Sequence, residues 1–118
     1  MTYFIACLST GKGTWGHVQK IIEAQPWHKI FLIVNKFASE NFNFPENSEQ
    51  IMIDPLRTTT ELEEDIRKQL KDKIADTEVA INFVSGSGKE HMALLSALLK
   101  LGLGIRLIVL TKEGVKEL

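Results

Sequence analysis

The 118 residues include a single cysteine, Cys7, so no intrachain disulfide framework can form. Its place inside an apolar run makes a buried, inert thiol the expected role, compatible with a reducing compartment. Charge of one sign is also lacking. Fourteen Lys and Arg against fifteen Asp and Glu leave a net charge of -1, which excludes a global basic field for long DNA or RNA. Any anion site must therefore be local. No apolar stretch nears the ~20 residues of a membrane span, and no basic segment followed by a hydrophobic one opens the chain. A cytoplasmic protein, without membrane association, is expected. The three histidines, His17, His28 and His91, stand apart, and no His/Cys/Asp/Glu cluster has metal-ligand spacing, so neither metal nor cofactor is expected. Repeats and low-complexity tracts are absent as well.

What is present is an alternation of apolar runs with helical patterns. It predicts one α/β domain over residues 1–118, an open, mostly parallel sheet of about five strands with helices on both faces. Strands are expected at Tyr3–Leu8, Lys29–Val34, Ile51–Ile53, Glu78–Val84 and Ile105–Thr111, with at most a further one at Val115–Leu118. Trp15, Val18, Ile21 and Ile22 mark a helix from Thr14 to Ala24, stopped by Pro26. Leu62, Ile66, Leu70 and Ile74 mark another from Thr60 to Ile74. Its acids precede its bases, an order that suits the helix dipole and reads as a solvated face. A third helix, Lys89 to Leu101 with Gly102 as its C′ residue, is apolar nearly all round. It either packs between the sheet and a neighbouring helix or offers a face to another subunit. The connection Asn35–Gln50 reads as a loop whose Phe37, Phe42 and Phe44 either stack on a base or cap the core.

Two short loops concentrate the chemistry. Ser9-Thr10-Gly11-Lys12-Gly13-Thr14 follows the first strand, and Ser85-Gly86-Ser87-Gly88-Lys89 follows the fourth. Each leads into a helix start, where unpaired N–H groups and the positive dipole end favour an anion. Glycines allow its close approach, and each lysine adds charge that helix stability alone would not select. If the chain crosses over after the third strand, the first and fourth strands become neighbours. Both loops would then face one crevice at the switch point, where ligands of open α/β sheets bind.

Familiar phosphate motifs fail. A P-loop requires Gly-x4-Gly-Lys-Ser/Thr, but Phe83 stands at the first glycine position and Glu90 follows Lys89. Gly11, Gly13 and Gly16 match a dinucleotide fingerprint formally, yet the second strand ends in Asn35-Lys36, where an acid should meet the ribose. Ser87 and Glu90 form a capping box, and Thr14 is a candidate cap for the first helix. That leaves Ser9, Thr10, Lys12, Ser85, Gly86 and Lys89 available to a ligand, and Gly11, Ser87 and Gly88 of the same loops complete the set of candidate ligand-binding residues. His17 and His91 follow the loops, and His91 joins that set; His28 beside Trp27 reads as structural.

The segment Val84-Ser85-Gly86-Ser87-Gly88-Lys89-Glu90-His91-Met92 resembles the second ligand loop of CARF domains, the CRISPR-associated Rossmann fold family. That loop is of the Ser/Thr-Gly-Gly-Thr-Lys-x-Met type; here Ser87-Gly88 replaces Gly-Thr. Leu8-Ser9-Thr10-Gly11 resembles the family's first motif more loosely, and the strand and helix order matches over nearly the whole chain. The resemblance implies a Rossmann-like homodimer that binds a cyclic oligoadenylate across its two-fold axis. It also implies contacts to phosphate or ribose from Ser9, Thr10 and Lys12, with Gly86, Ser87 and Lys89 opposite. With no effector domain in the sequence, three roles remain: ring nuclease, free-standing binder, or regulatory subunit. Cleavage by 2′-OH attack would use Lys89, Lys12 and Ser9 and needs no metal. Two readings from other classes stand beside it: a metal-free enzyme or binder of a small phosphorylated metabolite, and a non-catalytic subunit docking on a larger protein.

Overall fold

A computed structural model describes residues 2–9 and 13–118. It is an α/β fold with six strands and four helices among them: β1 (Tyr3–Leu8), α1 (Trp15–Ala24), β2 (Lys29–Val34), α2 (Lys36–Asn41), β3 (Ser48–Met52), α3 (Thr59–Leu70), β4 (Glu78–Asn82), α4 (Gly88–Lys100), β5 (Gly104–Thr111) and β6 (Gly114–Glu117). The sheet order is β3-β2-β1-β4-β5-β6, parallel except for β6, which pairs antiparallel with β5. The arrangement is compatible with the expected Rossmann-like sheet, with one strand more than the approximate count.

β1 lies at the centre and is buried along its whole length. A parallel strand covered on both faces has no solvent side, so its residues are apolar without alternation. Tyr3, Ile5 and Cys7 face the layer built with α3 and α4, which includes Leu62, Ile66, Leu94 and Leu98. Phe4, Ala6 and Leu8 face the layer built with Trp15, Val18, Ile21 and Ile22 of α1. The same division continues in β2, with Phe31 and Ile33 on one side and Ile30, Leu32 and Val34 on the other.

Several boundaries differ from expectation for local reasons. The connection Asn35–Gln50 contains a helix, α2, because the Asn35 side chain accepts the Ala38 N–H at 2.9 Å and caps it. β3 begins three residues early, since Ser48, Glu49 and Gln50 pair with Ile30, Phe31 and Leu32 through backbone groups that need no apolar side chain. β4 ends at Asn82, whose side chain accepts the Val84 N–H at 3.1 Å and turns the chain. α3 stops at Leu70; two residues later Asp72 takes φ +65°, which an α-helix does not allow. Gly102 closes α4 as expected, at φ +77°, with Leu103 N–H donating to Leu98 O at 3.1 Å. α4 does pack on α3 and the sheet, but Met92 and Leu99 on its outer side remain 66% and 61% exposed.

The charged stretch of α3 is not wholly a solvated face. Glu63 is buried and binds Arg67 Nε at 2.7 Å and Lys100 Nζ at 2.8 Å, tying α3 to the end of α4. Hydrogen bonds from Arg67 and then Lys100 hold its carboxyl below the ordinary 4.5, with burial opposing them. A depressed folded-state value stabilises the fold above the ordinary carboxylate range, and that stability is lost as pH falls through the depressed value. Glu63→Gln should therefore lower stability by about 1–2 kcal/mol near pH 7. In urea denaturation its deficit against the parent should shrink below about pH 4; a constant deficit would refute the ion-pair account.

Candidate functional site

The chain leaves β3 through α3 and returns to the other side of β1 as β4, so β1 pairs with both β2 and β4. Strand order reverses there, and the carboxyl ends of β1 and β4 flank the crevice that open α/β sheets offer to ligands. The expected crossover is therefore present, and the described parts of both glycine loops lie at those two ends. Thr10, Gly11 and Lys12 lie outside the described residues.

A buried carboxylate joins the loops. Ser9 Oγ donates to Glu90 Oε1, across 81 positions of sequence. The same oxygen accepts the Ser87 N–H at 2.9 Å, while Ser87 Oγ accepts the Glu90 N–H at 3.3 Å. The capping box is thus real, and it also anchors the end of β1. Asn35, at the end of β2, donates its side-chain N–H to the Ser9 carbonyl. The ends of β1 and β2 and the start of α4 are held by one polar chain, with Ser9 and Glu90 only 1% and 2% exposed.

Gly86 lets the second loop pass directly over β1. Its φ is +97°, and a Cβ there would lie 2.7 Å from Cys7 Cβ and 3.1 Å from both Glu90 Oε1 and His91 Nε2. Cys7 is wholly buried below; burial, and then the nearby Glu90 charge, push its thiol far up, so it stays protonated and inert as expected. His91 packs its ring on Phe83 at 4.5 Å, with Nε2 2.7 Å from Ser85 O. The carbonyl can only accept, so Nε2 carries the proton in that bond.

Other candidates are placed elsewhere. Lys89 is exposed, and its Nζ donates to Arg57 O at 2.7 Å, toward the turn before α3. It is not brought to Ser9. Gly88 opens α4, and the N–H groups of Gly88 and Lys89 have no partner among the described residues. His17 lies against β5, where Nε2 accepts the Leu110 N–H at 3.4 Å, beside an apolar cavity of about 360 Å³ lined by Phe83, Val84 and Leu107. His28 lies edge-on to Tyr3 at 5.3 Å, in the structural role expected. Thr14 precedes α1 without a side-chain capping bond, contrary to its candidate role. Phe42 and Phe44 pack against the core, Phe42 also edge-on to Trp15 at 5.6 Å, so capping the core is their role.

Among the described residues, two buried side-chain polar atoms have no hydrogen-bond partner, Ser85 Oγ in the second loop and Trp15 Nε1 in α1 beside Phe37 and Phe42. Neither the joining role of Glu90 nor these two atoms was evident from sequence. Capping-box spacing names Glu90 but carries no trace of Ser9, and Trp15 reads simply as one member of an apolar stripe. No helix among the described residues is long and apolar enough to cross a membrane. The chain matches no protein-family model, and no curated protein sequence matches it significantly.

Gly86→Ala should destabilise the fold by about 2 kcal/mol or more, because a Cβ at this φ is strained and meets Cys7. Gly13→Ala, where a Cβ meets nothing within 4 Å, is the matched control. Equal melting temperatures for the two variants would show that the close approach is not tight.

Proposed function

We propose that this protein is a CARF-like cytoplasmic sensor that binds a cyclic oligoadenylate, or a related phosphodiester nucleotide, between its two glycine loops. The observation that carries the reading is the adjacency of β1 and β4, which brings both Gly- and Lys-bearing loops to one switch point. A ligand there meets the positive end of α4 and the open N–H groups of Gly88 and Lys89. Lys89 adds a mobile charge once it leaves the Arg57 carbonyl, and Lys12 in the first loop adds a second.

A homodimer completes this reading. The outer side of α4 presents Met92 and Leu99 to solvent directly beside the second loop, an apolar stripe that a second copy would cover. A cyclic ligand with two-fold symmetry then lies on the dimer axis with four loops around it.

Binding comes first in this proposal and cleavage second. In metal-independent cleavage, a ribose 2′-oxygen bonds its adjacent phosphorus and the P–O5′ bond breaks. The products are a 2′,3′-cyclic phosphate and a 5′-hydroxyl, with one proton passing from the 2′- to the 5′-oxygen. Lys89 and Lys12 would stabilise the phosphorane charge, while Ser9, bonded to Glu90, would hold the first loop in place. The exposed apolar stripe also favours a second reading, a non-catalytic subunit docking on a larger protein.

The test is to titrate the protein with cyclic tri-, tetra- and hexaadenylate without added metal, by calorimetry, with mass spectrometry of the products. At least one ring should bind, and Lys89→Ala should weaken it about tenfold or more, as loss of a charged hydrogen bond does. No binding to any ring overturns the reading; binding without products leaves a sensor.

A further inference from the structure

β4 and β5 part at their carboxyl ends, and two polar side chains bridge the gap. Ile81 and Leu107 are the last pair in register; β4 ends at Asn82, while β5 runs on to Thr111. Beyond that pair, side chains meet the backbone groups of β5. Asn82 donates a side-chain N–H to the Ile108 carbonyl at 2.8 Å, and His17 Nε2 accepts the Leu110 N–H at 3.4 Å. The gap opens into the apolar cavity of about 360 Å³, whose lining includes Phe83, Val84, Leu107 and Val109. No Asp, Glu, Lys or Arg is among the described residues that line it. Val84 and Leu107 are 43% and 40% exposed, so the cavity is reached from solvent.

The cavity touches the flanks of both glycine loops. Phe83 and Val84 immediately precede Ser85, and His17 stands in the first turn of α1, just after the first loop. The larger cavity beside Trp27 and Phe44, about 470 Å³, borders neither loop. Polar capacity remains in the lining. Accepting at Nε2 leaves the His17 ring proton on Nδ1, which has no partner among the described residues. Asn82 is 2% exposed; beyond its bonds to Ile108 and Val84 it keeps a second N–H and a second lone pair. An apolar cavity with a few convergent polar groups is the usual form of a small-molecule site. An aliphatic chain would leave those groups unmet, and a phosphate or carboxylate would be buried without a lining cation. A neutral heteroaromatic ring, apolar on its faces and polar at its edge, satisfies both demands.

We infer that this cavity is a base-binding subsite: a purine ring of the nucleotide ligand packs among Phe83, Val84, Leu107 and Val109, with His17 and Asn82 hydrogen-bonded to its edge. The inference rests on the proposed reading of the crevice and assigns residues outside its two loops. The phosphate stays at the second loop, and the base reaches round the end of β4 to the β5 side. Val84 and Ser85 are adjacent in the chain, so a single nucleotide spans the two places. Base identity is read here, by groups that the phosphate-holding loops do not supply.

Free adenosine, which carries the base without the phosphate, separates this inference from the reading it rests on. In 1H–13C spectra of the parent, adenosine should shift the methyl resonances of Val84, Leu107 and Val109 through its ring current. Whichever cyclic adenylate binds most tightly should shift the same set. Leu107→Trp places a side-chain ring in the cavity at a position already open to solvent. It should melt close to the parent temperature and weaken the cyclic adenylate about tenfold or more. Methyls unmoved by both probes, or parent-like affinity in a folded Leu107→Trp, would overturn the inference; the crevice reading survives if the parent still binds the ring. Should Leu107→Trp fail to fold, the methyl shifts of the parent decide alone. If adenosine moves these methyls while no ring binds, the cyclic ligand is wrong and the purine site stands. If neither probe binds, both fail.

Discussion

The geometry of the carboxyl edge depends on one buried carboxylate. Glu90 receives the Ser9 hydroxyl and the Ser87 N–H on the same oxygen, and so fastens the end of β1 to the first turn of α4. An ionised carboxylate taken out of water is costly unless its lone pairs are filled. The close approach of Gly86 to Cys7 belongs to the same arrangement, because any side chain at Gly86 would push the loop away from β1 and from Glu90. The Asn35 contact with Ser9 extends the arrangement to β2. One glycine without a side chain and one acid that gathers two donors thus hold the second loop against β1.

The same acid constrains what can enter. Its negative charge stands beside the place where an anion would lie, so the attraction must come from other groups. Candidates are the dipole of α4, the open N–H groups of Gly88 and Lys89, and the lysine side chains. Lys89 reaches the Arg57 carbonyl, and Arg57 itself pairs with Asp65 at 2.8 Å. Both cations are thus engaged with neighbouring oxygen atoms. On the proposed reading a ligand would compete for them, which would favour one with several negative groups over one with a single charge.

Much of the architecture is written in the chain itself, and the reasons are specific. β1 and β2 are legible because burial on both faces requires continuous apolar residues. β3 is poorly legible because an edge strand half open to solvent tolerates Ser48, Glu49 and Gln50, and its pairing is purely backbone. α2 is hidden for a related reason: a six-residue helix relies on the Asn35 cap and on Ala38 in the core, neither of which makes a periodic pattern. At the site, Gly86 and the Ser87–Glu90 box are local features and could be read directly. The Ser9–Glu90 bond joins residues 81 positions apart, and no short window contains it. Glu63 illustrates the same limit. Its neighbours in sequence suggest a solvated face, while its partner Lys100 arrives from another helix.

Satisfaction of polar groups separates the structural from the functional more sharply here than residue type does. Serines 9, 85 and 87 all lie at the crevice, and composition alone gives no reason to rank them. Their hydrogen bonds do. Ser9 and Ser87 are consumed in holding the loops, so replacing either would first disturb the fold. Ser85 contributes its carbonyl to His91 and leaves its hydroxyl unspent. The fold satisfies both oxygens of Glu63, yet leaves the buried Ser85 hydroxyl and the buried Trp15 indole N–H without partners.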